Sequence, residues 1–203
     1  MCSFTISDQC KQGVKMPDNK TRKILRLPYF DYSQEGVYFV TLVTQGRTKL
    51  FSEVNQEEVS LFPAGKMVER WWYMLAEKFL KVKPREYIIM PNHFHGIIEF
   101  TTNHLSNARI DDEVVEIVPV YGNGDNSQTL SQVIQWFKTM TTNEYIRQVK
   151  RSGWEPFDHR LWQRNYYEHI IRNDVDYERI YYYIQSNPQQ WGKDQENPNN
   201  LTK

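Results

Sequence analysis

Long apolar runs are missing from this chain. No stretch approaches the roughly 18 consecutive apolar residues of a membrane helix, and the first 30 residues lack a basic start followed by an apolar core. No membrane partner and no secretory leader are expected, so the protein is expected to be cytoplasmic. Cysteine is scarce as well: Cys2 and Cys10 lie in the polar first segment, where a disulfide would staple little of a fold. Net charge is absent, 25 Lys+Arg balancing 25 Asp+Glu, which argues against a nonspecific nucleic-acid binder. No internal repeat or low-complexity tract marks the chain as an array.

Aromatic residues are abundant, with 13 Tyr, 10 Phe and 6 Trp in 203 residues. The length suits one domain with tails, and the core is expected to be rich in rings, some left over for stacking. The charge is unevenly placed. Asn103 to Ser127 holds Arg109 against Asp111, Asp112, Glu113, Glu116 and Asp125, while the N-terminal arm carries Lys11, Lys15, Lys20, Arg22, Lys23 and Arg26 against Asp8, Asp18 and Asp31. The arm can reach phosphates or simply be solvated.

Three parts are expected: a polar basic arm over 1–23 without fixed order, a domain over 24–190 and a polar tail over 191–203. Val37 to Thr44 is β-branched and aromatic and reads as a strand. Met67, Val68, Trp71, Trp72, Leu75 and Phe79 recur at helical spacing over 63–79. Arg85 to Met90 and His93 to Phe100 read as two strands broken by Pro91-Asn92. A second helix is expected from a cap at Asn126 or Ser127 to about Val149, then a strand over 162–171. A last helix is expected from about Val175 to Ser186, stopped by Asn187-Pro188. The order β-α-β-β-α-β plus a helix is that of an α+β, ferredoxin-like (split βαβ) fold: an antiparallel sheet with helices on one face.

Two places in this plan carry chemistry. In Met90-Pro91-Asn92-His93-Phe94-His95-Gly96-Ile97-Ile98, strand alternation puts His93 and His95 on one face and Phe94 on the other. Two neighbouring imidazoles can hold one metal ion, and polar groups in so apolar a run need partners. In the last helix, Tyr177, Ile180, Tyr181 and Ile184 fall on one face, expected to be core, and Tyr183 and Asn187 lie together on its flank. A tyrosine hydroxyl, with an ordinary pKa of about 10, becomes a useful nucleophile when a cation stabilises the group it attacks. Each feature alone also has a structural account, a satisfied histidine pair and a packed tyrosine run.

The block around His93 and His95 resembles the HUH motif of the single-tyrosine transposases, specifically the REP-associated tyrosine transposases. Leu27-Pro28-Tyr29-Phe30-Asp31-Tyr32-Ser33, the Phe137-Lys138 helix, Trp162 to Asn173, and Tyr183-Ile184-Gln185-Ser186-Asn187-Pro188 are similar to other blocks of that branch. The resemblance implies His93, His95 and Asn187 as ligands of Mg²⁺ or Mn²⁺, and Tyr183 as nucleophile. It also implies single-stranded DNA with hairpins as substrate, cut through a 5′-phosphotyrosine that frees a 3′-hydroxyl for rejoining. Mixed imidazole and carbonyl ligation suits those two metals; zinc is not expected without a third His or Cys. Weaker DNA-contact candidates are Lys138, Arg164, Arg172 and Tyr166. The family includes monomers and dimers, so a homodimer stays open. Two other readings remain: a catalytically silent single-stranded nucleic-acid binder of the same fold, and a metal-binding protein without nucleic acid.

Overall fold

The computed structural model describes residues 35–101, 108–110, 113–115 and 128–200. The basic arm and most of the acidic connection expected above lie outside these residues. The chain runs β1 (Gly36–Val43), β2 (Ser52–Asn55), β3 (Glu58–Leu61), α1 (Pro63–Lys78), β4 (Val82–Ile89), β5 (His93–Phe100), β6 (Ala108–Ile110), β7 (Glu113–Val115), α2 (Leu130–Ser152), β8 (Tyr167–Ile171) and α3 (Asp174–Gln190). Four strands form one antiparallel sheet in the order β4-β5-β1-β8; β2-β3 and β6-β7 are separate hairpins. Without the hairpins, the connectivity is the expected ferredoxin-like split βαβ. Among the described residues no helix is long and apolar enough to cross a membrane.

Both central strands are covered on both faces. Tyr38 to Val43 and His93 to Ile98 are buried without a break, because a strand roofed on each side needs apolar residues at both parities. On one face Phe94 meets Trp72 of α1 (ring centroids 4.8 Å) and Phe137 of α2 (5.6 Å). On the other, Phe39 stacks on His95 and meets Tyr183 of α3 edge-on at 5.9 Å. Gly96 permits the first contact: a Cβ there would lie 2.7 Å from the Phe94 ring and 2.8 Å from Trp72.

Several element boundaries differ from the sequence expectation. The β2-β3 hairpin is additional, and Gln56 and Glu57 occupy its turn with positive φ angles of 49° and 70°. A turn of that hand ordinarily announces itself with Asn-Gly or Asp-Gly. Strand β4 starts at Val82 and includes Pro84, which an edge strand tolerates, with a register shift between Pro84 and Tyr87. Helix α2 begins after Thr129, whose side chain forms a capping box with Gln132, and ends past Val149 at Gly153 in the left-handed region. The last strand is confined to Tyr167–Ile171, with Trp162 contributing only an isolated bridge to Thr44.

The last helix is the main correction. It does not stop at Asn187 but continues through Pro188 to Gln190. In the final turn the proline removes only one backbone hydrogen bond. The buried stripe is Ile180, Ile184 and Asn187, narrower than expected. Tyr181 is exposed, and Tyr177 turns its hydroxyl to Glu86 at 2.5 Å. A helix resting on a sheet through one narrow stripe leaves flanking tyrosines at the rim.

Candidate active site

The register of the sheet builds the site. Thr41 pairs with His95 and Val43 with His93, so both imidazoles project from the face that α3 covers. Their ring centroids are 4.6 Å apart. The Tyr183 hydroxyl lies 3.4 Å from His95 Nε2, and the two rings meet at a steep angle with centroids 5.2 Å apart. Asn187, one turn further along the same helix, is buried against this group. The structure thus brings together all four residues of the expected catalytic set.

Hydrogen bonding determines which nitrogen of His93 carries its proton. Asn92 Nδ2 donates to the backbone carbonyls of Arg47 (3.1 Å) and Glu196 (2.7 Å), groups that only accept, so its amide orientation is fixed. Asn92 Oδ1 must therefore accept, and His93 Nδ1 donates to it at 2.9 Å. Complete burial lowers the His93 pKa to about 4, which keeps the ring neutral. Its Nε2 is left with a lone pair, and that atom is buried without a hydrogen-bond partner. Asn187 Oδ1, another acceptor, is buried and unpartnered beside it. Two buried acceptors side by side, each without a hydrogen-bond partner, suit a cation, so these residues fit a divalent metal.

His95 is held in a similar way. Its Nδ1 shares a 2.8 Å hydrogen bond with Thr41 Oγ1, turning Nε2 towards Tyr183. Burial, with His93 beside it, pushes its pKa well below the ordinary imidazole value. Burial also pushes the Tyr183 hydroxyl up to about 12, reinforced by the charge of Asp194. The tyrosine is therefore protonated at neutral pH in the metal-free protein.

The segment after α3 supplies residues that the sequence reading set aside as tail. A short turn over Trp191–Lys193 brings Asp194 Oδ2 to 3.7 Å from His93 Nε2. This contact is not an ion pair, since burial keeps the imidazole neutral. Burial raises the Asp194 carboxyl, partly offset by the Glu196 backbone N–H. Glu196 is paired with Arg47 at 2.8 Å, and Trp191 lies 6.0 Å from the His93 ring. Spacing along the chain gave no signal for these contacts; only the path of the chain beyond Pro188 creates them.

The DNA-contact candidates are placed elsewhere. Lys138 Nζ donates to the carbonyls of Gln163 (2.6 Å) and Arg164 (3.0 Å), fastening the stretch before β8 to α2. Burial, and Arg160 nearby, lower its pKa to about 8. Arg164 and Arg172 are exposed. The Tyr166 hydroxyl lies 3.5 Å from Ser131 Oγ.

No family model matches the chain. It is 35% identical over 175 residues to an uncharacterized protein of Haemophilus influenzae, covering 86% of this chain and 92% of that protein. It is 25% identical over 162 residues to a second protein of that organism, described as a "Putative REP-associated tyrosine transposase", covering 80% and 75% of the two chains. Among solved structures, a REP-associated tyrosine transposase bound to a REP hairpin aligns with a TM-score of 0.49 at 19% identity, over 81% of this chain and 73% of that one. A "putative transposase" from Deinococcus radiodurans R1 aligns with a TM-score of 0.41 at 11% identity, over 75% and 92%. With its motif blocks in the expected order, the chain resembles the REP-associated tyrosine transposases, the family named for its 25% identical relative.

Proposed function

We propose that this protein cuts and rejoins single-stranded DNA at hairpin-forming sequences, with Tyr183 as nucleophile. The observation that carries the reading is the Tyr183 hydroxyl 3.4 Å from His95 Nε2, beside two buried unpartnered acceptors, His93 Nε2 and Asn187 Oδ1. The two Nε2 lone pairs and the Asn187 carbonyl would hold Mg²⁺ or Mn²⁺, whose contribution is Lewis-acid polarisation of a phosphate oxygen.

The chain's own residues do the rest. Phe39 packs against both the His95 and Tyr183 rings, so the nucleophile and the histidines share one rigid wall. The hydroxyl starts protonated and gives up its proton as it attacks. The Tyr183 Oη–P bond forms while the P–O3′ bond breaks. The departing 3′-oxygen ends as a hydroxyl, and the 5′-phosphate stays on the tyrosine. Reversal by a 3′-hydroxyl restores a phosphodiester, so one ester is exchanged for another and no nucleotide hydrolysis is needed. The hairpin named with one solved relative supports the choice of substrate.

The test is incubation with single-stranded hairpin oligonucleotides and Mg²⁺ or Mn²⁺, followed by denaturing electrophoresis. A covalent adduct is expected, absent in Tyr183→Phe and absent with chelator. A well-folded wild-type protein that retains the hairpin but forms no adduct overturns the enzyme reading and leaves that of a silent binder.

A further inference from the structure

Resting on the reading that Tyr183 meets single-stranded DNA, we propose that Arg179 grips a backbone phosphate next to the scissile one, held in place by Asp176 and His169.

The sheet and α3 bring these residues to the edge of the site. The register of β8 pairs Tyr167 with Thr41 and His169 with Phe39, so both side chains share the face that carries His95. Arg179 stands one helical turn before Tyr183, about 5.4 Å along the axis, and the two can address successive groups of one strand. Tyr167 links them. Its ring meets Phe39 edge-on at 6.3 Å, as that of Tyr183 does at 5.9 Å. Burial raises the Tyr167 hydroxyl and the Arg179 charge draws it part of the way back, so the guanidinium acts on this hydroxyl. Tyr167 in turn adds to the burial that raises Tyr183.

The guanidinium is fixed from behind. An exposed ion pair within a helix is ordinarily loose and solvated, but this one is anchored to the sheet. Asp176 Oδ1 accepts from Arg179 Nη2 at 2.5 Å, and Oδ2 bonds His169 Nε2 at 2.8 Å. Burial raises the Asp176 carboxyl, yet the bonds from Arg179 and His169 outweigh it and hold it below the ordinary carboxylate range. Ionised, Asp176 only accepts, so His169 Nε2 is the donor. The Asp176 side chain is 17% exposed and that of Arg179 45%, which turns the acid inwards and the cation outwards. Asp176 takes Nη2 alone; Nε and Nη1 meet no acceptor among the described residues. A planar guanidinium already oriented offers these N–H groups to a phosphate with little left to order.

The experiment measures binding of the full chain to a fluorescent single-stranded hairpin oligonucleotide by anisotropy, across a range of salt and in chelator so that no cleavage intervenes. Arg179→Gln is expected to weaken binding about fivefold or more and to lower the slope of log affinity against log salt by about 0.7, the share of one single-strand phosphate contact. Arg179→Lys is expected to restore the slope. Arg147→Gln, which opens a like pair with Glu144 on α2 across the sheet, is expected to change neither. With Mn²⁺ present, Arg179→Gln and His169→Ala are expected to raise the hairpin concentration at half-maximal adduct formation while the plateau rate stays within about twofold of wild type. A lowered plateau and melting temperature in His169→Ala would make it a strut for α3 and overturn its positioning role. Affinity and salt slope unchanged in Arg179→Gln overturn the proposal, and adduct formation by the wild type then leaves the proposed function standing. A lowered slope without any adduct supports the phosphate contact and refutes cleavage. A wild-type protein that does not bind the hairpin refutes both.

Discussion

Replacing Asn92 by alanine tests the hydrogen-bonded frame of the site. The side chain is fully buried and makes three bonds, to Arg47 O, Glu196 O and His93 Nδ1. In the variant the His93 N–H is left buried without an acceptor, at about 1–3 kcal/mol. The two carbonyls lose one donor each, at about 0.5–1.5 kcal/mol apiece. The expected loss is about 2–6 kcal/mol, which for a domain of this size lowers Tm by roughly 4–24 °C. Urea denaturation in chelator reads the stability and Mn²⁺ titration reads the site. With no partner fixing the tautomer, affinity is expected to fall about 10- to 100-fold. Asn92→Asp separates the two effects, since a carboxylate still accepts from His93 but faces two carbonyls without a proton to offer. It is expected to be unstable, with its residual metal affinity better preserved. A stability loss below about 1 kcal/mol in Asn92→Ala would falsify the accounting.

Two further outcomes follow from packing and charge. Gly96→Ala places a methyl 2.7–2.8 Å from Phe94 and Trp72, so a loss of about 1–3 kcal/mol is expected in denaturant titration; wild-type stability would show that α1 can shift freely. Lys138→Met strips the donor from two carbonyls and is expected to cost about 1–3 kcal/mol near neutral pH. Because the folded Lys138 pKa is lowered from 10.5 to about 8, the unfolded chain binds more protons between those values. Wild-type stability relative to the variant therefore rises with pH across that window; denaturation at about pH 7 and about pH 10 reads the sign, and a gap that narrows at the higher pH contradicts it.

Much of this arrangement was legible in the sequence, for reasons of periodicity. Alternation alone put His93 and His95 on one face, and helical spacing alone put Tyr183 beside Asn187. What alternation could not reveal was which helix would cover that face. The β2-β3 turn was hidden because Gln56 and Glu57 adopt positive φ without glycine. The end of α3 was misjudged because Pro188 falls where a helix is already running out of hydrogen bonds to lose. Lys138 looked like a phosphate contact, since nothing in a sequence shows that a lysine will meet two carbonyls. Asp194 was unreadable for a related reason: a polar segment acquires a role only through the strand it folds back against.

Tyr183 and its neighbour His95, 88 positions apart in the chain, have a consequence for the protein as it is being made. A ribosome exposes β1, α1, β4 and β5 long before it reaches α3, and the histidine face of the sheet waits for a cover that has not been synthesised. A nascent chain interrupted anywhere before Tyr183 carries the histidine pair without the hydroxyl that lies against it. The tyrosine–histidine contact therefore forms only late in synthesis, once α3 has folded over the sheet.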